Sequence, residues 1–387
     1  MRRTRWRSAV VGLALLVLAA GIVWWWGKPL KTLVPALHPA VSTTVNVPPA
    51  VLEQVLPPPP IPVPTPVPMP SPVLVATNPL LATPAVTNRP PIAIVEADLT
   101  QVPDRSPTNI LEAQIAMTSY GIGSGPIDGI GGAQTAWALR AFQFQHGLDE
   151  TGRLDRETQT ELKPTKPWFR TYAVTANDLA GLNVVPGTWL GKSEMNHLGF
   201  QNILELVAEQ AHASGALLRR LNPEVNWQAI APGTQLVVPN AEYPPPRRAA
   251  LIRISLANRY LRAFDGRGNL LAHFPCSIGR IAEKRPVGEL QVMVTAENPN
   301  YTFDPAVFPE SAEARQLSRK LIIPPGPNNP VGVAWIGLNR PGYGIHGTPS
   351  PEQVGRTESH GCFRLANWNA AYLLQMVVVG TPVWVEL

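Results

Sequence analysis

The sequence predicts a multidomain chain: a small all-α unit, then an α/β module, then a mostly β domain at the C-terminal end. Three observations predict it. Apolar residues recur at helical spacing between positions 108 and 162, and the period falls to two from Ala249 onward. A proline-dense stretch separates both regions from the N-terminus. At 387 residues the chain has room for two or three domains, and an apolar content of 45% allows each a core. The net charge of +5 is modest and suits a mild attraction to anionic polymers. No dense Lys/Arg run with interleaved aromatics occurs beyond the N-terminus, so nucleic acid is not an expected partner.

Arg2, Arg3, Arg5 and Arg7 precede 18 uncharged residues, 9–26, which end in Trp24, Trp25 and Trp26. That length suits a bilayer-spanning helix, the charges favour a cytoplasmic N-terminus, and tryptophans collect at membrane interfaces. The expectation is a cytoplasmic segment 1–8 and an uncleaved anchor at 9–26, with everything beyond exported. A cleaved signal peptide ending near Ala19 and Ala20 is the alternative. Residues 27–105 read as a linker. Sixteen prolines fall in the 44 positions 48–91, so this stretch forms neither helix nor ladder and acts as an extended spacer.

Residues 106–165 read as three helices. Leu111 and Ile115 share one face, and Thr135, Ala138, Leu139 and Phe142 form an i, i+3, i+4, i+7 stripe that Gly147 terminates. The turn Asp128-Gly129, with Gly132, Thr135, Phe142-Gln143, Gly147-Leu148 and Thr158, resembles the three-helix peptidoglycan-binding domain. In 168–240 a long helix-like run, NILELVAEQAHASGALLRRLN, precedes a closing strand, GTQLVVPN. That closing half resembles a LysM module, which implies glycan binding or a docking surface for the next domain.

From 249 to 387, Ile252, Ile254 and Leu256, then Leu290, Val292 and Val294, then Val383, Val385 and Leu387 alternate with other residues, as strands require. Within this domain His346 stands 16 positions before Cys362, in PGYGIHGT and SHGCFRL. Cysteine attacks as thiolate and needs a base or a positive field, and a histidine held by a third group supplies one. Other roles stay open from spacing alone: a zinc site with His346, His360 and Cys362, a Cys276–Cys362 disulfide, or a small buried side chain.

The whole of 249–387 resembles the L,D-transpeptidase catalytic domain (YkuD-like). His-Gly-Thr at 346–348, Ser-His-Gly-Cys at 359–362 and the stretches IPPGPNNPVGVAWIGL and FPCSIGR carry the resemblance. It implies Cys362 as nucleophile, His346 as proton acceptor and donor, and the Gly347 carbonyl as the group that orients the imidazole. His360, Gly361 and the Cys362 backbone would shape the oxyanion site. Ser359 and Arg364 would hold the loop or substrate carboxylates, and Tyr343 and Trp335 would wall the pocket. No cofactor and no metal is implied. Cys276 reads as a plain strand residue, and the polar insertion at 296–322 as a lid or a surface loop.

The resulting expectation is a periplasmic transpeptidase held on the inner membrane by its N-terminal helix. A peptidoglycan tetrapeptide stem would acylate Cys362 and release D-alanine, and an amine of a second stem or a lipoprotein would accept the acyl group. Glycan strands would bind the helical and LysM-like units. An L,D-carboxypeptidase using water, or a non-catalytic peptidoglycan tether, are the alternatives.

Overall fold

A computed structural model describes residues 89–280, 285–308, 310–356 and 361–387, all within the unit Pro79–Leu387. After a short helix α1 (Glu96–Thr100), three helices follow: α2 (Ile110–Thr118), α3 (Ala133–His146) and α4 (Arg156–Glu161). Asn109 and Asp155 cap α2 and α4 by accepting from the Glu112 and Thr158 backbone N–H groups. Gly147 closes α3 at φ 66°, the left-handed conformation glycine adopts without strain. Thr135, Ala138, Leu139 and Phe142 are all buried, as their spacing predicts.

Gln143, also buried, fastens the unit. Its amide donates to Thr151 Oγ1 (2.9 Å), the Arg153 carbonyl (3.1 Å) and Thr158 Oγ1 (2.8 Å), and its carbonyl accepts from the Gly152 N–H (2.8 Å).

The α/β module pairs β1 (Phe169–Ala173) antiparallel with β2 (Gln235–Pro239). Between them lie α5 (Ala176–Ala180), α6 (Trp189–Ser193), α7 (Ile203–Gln210) and α8 (Gly215–Leu221). The single helical run expected over 202–222 is therefore two helices. His212 sits at φ 52°, which turns the chain out of the right-handed helix, and the Ser214 side chain caps α8.

The C-terminal domain is an eight-stranded sheet in the order β11-β10-β9-β6-β12-β3-β4-β5. In chain order these are β3 (Leu251–Ser255), β4 (Tyr260–Phe264), β5 (Leu270–Pro275) and β6 (Gly288–Glu297). Beyond β7 (Tyr301–Phe303) and β8 (Leu321–Ile323) come β9 (Ala334–Leu338), β10 (Gly344–His346), β11 (Phe363–Arg364) and β12 (Pro382–Glu386). A helix, α9 (Asn367–Met376), buries Ala370, Leu373 and Met376 in the core shared with Ile252, Val292, Ile336 and Val383.

Val294 departs from its predicted inward alternation. A bulge at Met293 shifts the register between Val292 and Val294, and Val294 is 51% exposed where Val292 is buried. The polar insertion is ordered. β7 pairs with β8, and Phe303, Ala314, Leu321 and Ile323 form a small core there.

The three units share surfaces. The loop after α2 pairs with the edge strand β5: the Gly123 N–H donates to the His273 carbonyl (2.8 Å), and the His273 N–H to that of Gly121 (3.1 Å). The same loop meets the α/β module, where the Ile127 N–H donates to the His212 carbonyl (2.8 Å) and the Ser214 N–H to that of Ile127 (2.9 Å).

The expected single-pass inner-membrane placement requires correction. Among the described residues no helix is long and apolar enough to cross a membrane. The stretch 9–26, on which that expectation rested, lies outside the described residues, as does the proline-rich spacer up to position 88.

Replacing Gln143 with leucine should destabilise the chain by on the order of 3 kcal/mol, because the Gly152 N–H and the Arg153 carbonyl lose their buried partner. Denaturant midpoints of the wild type and Gln143→Leu measure it; equal midpoints would remove the role given to Gln143.

Candidate active site

His346 ends β10, and Cys362 immediately precedes β11. β10 lies between β9, antiparallel, and β11, parallel. The register pairs Ile345 with Phe363 and His346 with Arg364. Side chains alternate along a strand. Ile345 and Phe363 therefore point to the core, where both are fully buried. Cys362, Arg364 and His346 share the opposite face. Two residues 16 positions apart thus meet on one patch of sheet.

The imidazole is held from three sides. Nδ1 lies 2.7 Å from the Gly347 carbonyl oxygen. A carbonyl only accepts, so Nδ1 carries the hydrogen and Nε2 keeps its lone pair. Trp335, paired with His346 across β9, stacks on the ring at 5.6 Å and 24°. Behind the strand, Asn367 is buried against Gly347 and Gly332. A Cβ on either glycine would overlap its amide oxygen, and Gly332 also needs φ 63°. Asn367 Nδ2 donates to the Pro327 carbonyl (3.1 Å), and its oxygen accepts from the Val333 N–H (3.4 Å). Asn367 thus ties the strand end carrying His346 to the 327–333 loop.

Burial sets the protonation of the pair. It lowers the pKa of His346 to about 4; the Gly347 bond opposes this, and the Arg364 charge adds to it. Burial raises the Cys362 thiol above its ordinary value, against a backbone hydrogen bond from Gly344 and the field of Arg364. Cys362 Sγ donates to the Gly342 carbonyl at 3.4 Å. The resting pair is therefore neutral thiol and neutral imidazole. At the thiol, desolvation outweighs the positive field of Arg364.

A cleft of about 890 Å³ opens over this patch, and Cys362, His346, Arg364, Gly361, Tyr343 and Trp335 all line it. Arg340 stacks on Tyr343, 4.5 Å from the ring centroid. Trp189, Val294, Tyr301 and Phe308 complete the walls. The bulge at Met293 is what turns Val294 into the cleft. Trp189 comes from the α/β module, and no spacing in the sequence ties it to Cys362.

Ser359 and His360 lie outside the described residues, and with them part of the zinc alternative. Cys276 is fully buried after β5, its thiol raised by burial, and both cysteines are free thiols. Asn369 accepts from the Tyr243 hydroxyl at 2.7 Å, well inside the core.

Two family models match parts of this chain. Residues 249–385 match the L,D-transpeptidase catalytic domain, and residues 106–162 match the model described as "Putative peptidoglycan binding domain".

Among relatives, the chain is 29% identical over 182 residues to "Putative L,D-transpeptidase YkuD" of Bacillus licheniformis, covering 46% of this chain and 91% of that one. It is 36% identical over 115 residues to "Putative L,D-transpeptidase YqjB" of Bacillus subtilis, covering 28% and 56%. It is 30% identical over 181 residues to "Probable L,D-transpeptidase ErfK/SrfK" of Escherichia coli, covering 46% and 58%. The match thus spans nearly all of the first relative and just over half of the other two. A solved L,D-transpeptidase structure from Xylanimonas cellulosilytica aligns over 77% of this chain and 100% of that one, at 15% identity and a TM-score of 0.32.

Native protein alkylated at neutral pH should take up one label, at Cys362, and a second at Cys276 only after denaturation. Peptide mass spectrometry reads this directly. Labelling of Cys276 in the native protein would contradict its burial.

Proposed function

We propose that this chain uses Cys362 and His346 to transfer the acyl group of a peptidoglycan stem peptide to an amine. One observation carries the reading: adjacent parallel strands put Cys362 and His346 on one face of the sheet, inside one cleft, with His346 Nδ1 bound to the Gly347 carbonyl. The peptidoglycan-binding match at 106–162 supports the substrate class.

Cys362 Sγ attacks the carbonyl carbon after the third stem residue, and its proton passes to His346 Nε2. The Gly347 carbonyl steadies the imidazolium while the tetrahedral oxyanion meets backbone N–H groups around Gly361 and Cys362. The carbon–nitrogen bond breaks, His346 protonates the departing amine, and D-alanine leaves. An amine of a second stem, or of an attached protein, attacks the thioester and gives its proton to His346. Sulfur leaves and takes that proton back. Arg364, facing both groups, holds a substrate carboxylate, and Tyr343 and Trp335 flank the stem. Gly361 lets the substrate approach the backbone closely. By the resemblance, Ser359 and His360 would belong to the same site.

The LysM-like reading of residues 168–240 belongs to the same proposal. Short helices enclosed by antiparallel β1 and β2 support it. A glycan-binding module there would raise the local concentration of stems.

Purified protein incubated with disaccharide tetrapeptides should release D-alanine and form crosslinked dimer, with Cys362→Ala reducing both to background. Mass analysis of the products decides it, and persistent activity in that variant would overturn the assignment.

The pH dependence follows from the imidazole. A base must be neutral to accept a proton, so activity falls as pH drops through the folded-state value of about 4, not through the ordinary histidine range. Because the Arg364 charge lowers that value, Arg364→Gln should move the acid limb of kcat/KM to higher pH. A limb that stays in place would separate Arg364 from the imidazole.

A further inference from the structure

We propose that the α/β module braces the lid over Cys362, with Trp189 as the positioning residue that sets the lid's height above the thiol. The lid is the segment carrying β7 and β8. Its ladder is three residue pairs long, and neither strand joins another sheet among the described residues. A two-stranded ribbon of that size is marginal alone, so something outside it must hold it in place.

The α/β module supplies that hold at two points. At the lid's outer part, Trp189 stacks on Phe303 at 4.2 Å and 13°, with Phe308 at 6.3 Å and 29° beside it. The next backbone group, Leu190 N–H, donates to the Glu313 carboxylate at 3.0 Å. At the lid's base, Leu198 is fully buried against Phe303, Leu321 and Ile323. Its N–H donates to the Pro325 carbonyl (2.8 Å), and its carbonyl accepts from the Asn328 N–H (3.1 Å).

The brace reaches the reacting groups. Trp189, Tyr301 and Phe308 line the same cleft as Cys362 and His346. Phe303 is fully buried beneath the Trp189 ring, so removing that ring leaves the lid's core open on the α6 side. The base contacts through Leu198 would persist. The lid should then hinge outward, widening the route to Cys362 without unfolding the catalytic sheet.

The test uses the full chain and two thiol reagents, iodoacetamide and a bulky aryl maleimide, with rates followed by mass at Cys362. Trp189→Ala should raise the maleimide rate about fivefold or more and leave the iodoacetamide rate within about twofold. Trp189→Phe, which keeps a stacking ring, should return the maleimide rate to the wild-type range. Glu313→Ala, which removes the second contact from the lid side, should shift it in the same direction as Trp189→Ala and decides the matter if Trp189→Ala does not fold. Unchanged maleimide rates in both alanine variants, or equal rises for both reagents, would overturn the brace.

A second readout rests on the acyl-transfer reading above. A wider cleft admits water, so Trp189→Ala should raise the ratio of hydrolysed to amine-transferred product. If the wild type shows no turnover of disaccharide tetrapeptides, the acyl-transfer reading fails while the alkylation rates still decide the brace.

Discussion

The hydrogen bond between His346 Nδ1 and the Gly347 carbonyl is the contact around which the site is organised. It fixes the tautomer, and with it the nitrogen that faces the cleft. Its acceptor is a backbone group one residue away, so the bond's geometry is the geometry of the strand end itself. That strand end is defined by β9 on one side, β11 on the other and Asn367 behind. The glycines at 332 and 347 are there because Asn367 leaves no room for a Cβ. A triad carboxylate would bring a buried charge that needs its own partners. A carbonyl orients the ring without that cost.

Burial has a second effect on the same pair. It raises the thiol and lowers the imidazole, which keeps both neutral at rest. Arg364 pulls the other way on the thiol, and from its place opposite His346 in the ladder its charge acts on both groups. In the proposed reaction, a neutral resting pair would couple proton transfer to nucleophilic attack, with no standing thiolate.

The accessory units are built into the fold. β5 is the edge of the eight-stranded sheet, yet its residues are buried, because the loop after α2 pairs with it and α3 covers it. An uncovered edge invites pairing with another chain. The same loop also bridges to His212 and Ser214 of the α/β module. His212 in turn stacks on Trp368 of α9 at 5.3 Å and 10°. Removing either unit would expose apolar surface that these contacts now bury.

Much of this was legible in the sequence wherever a local pattern carries the information. The stripe Thr135, Ala138, Leu139 and Phe142 declared its helix and its buried face, because spacing along one helix is a local property. The alternation of Ile252, Ile254, Val383 and Val385 declared buried strands for the same reason, and the residues around His346 and Cys362 pointed to one site, where both line a single cleft. The break at His212 was missed, because a single left-handed residue leaves no periodicity behind. Val294 was misplaced, because one bulged residue reverses every side chain after it. The neutral state of the Cys362–His346 pair depends on how much water the fold removes, and Trp189 reaches the cleft across more than a hundred residues. Neither has a signature in the chain. By itself the sequence determined which stretches form helices and strands, since that follows from neighbours a few positions apart. Only the tertiary structure decided the register that aligns His346 with Arg364, the desolvation of the thiol and the wall supplied by Trp189, since these arise between segments that meet only when the chain is folded.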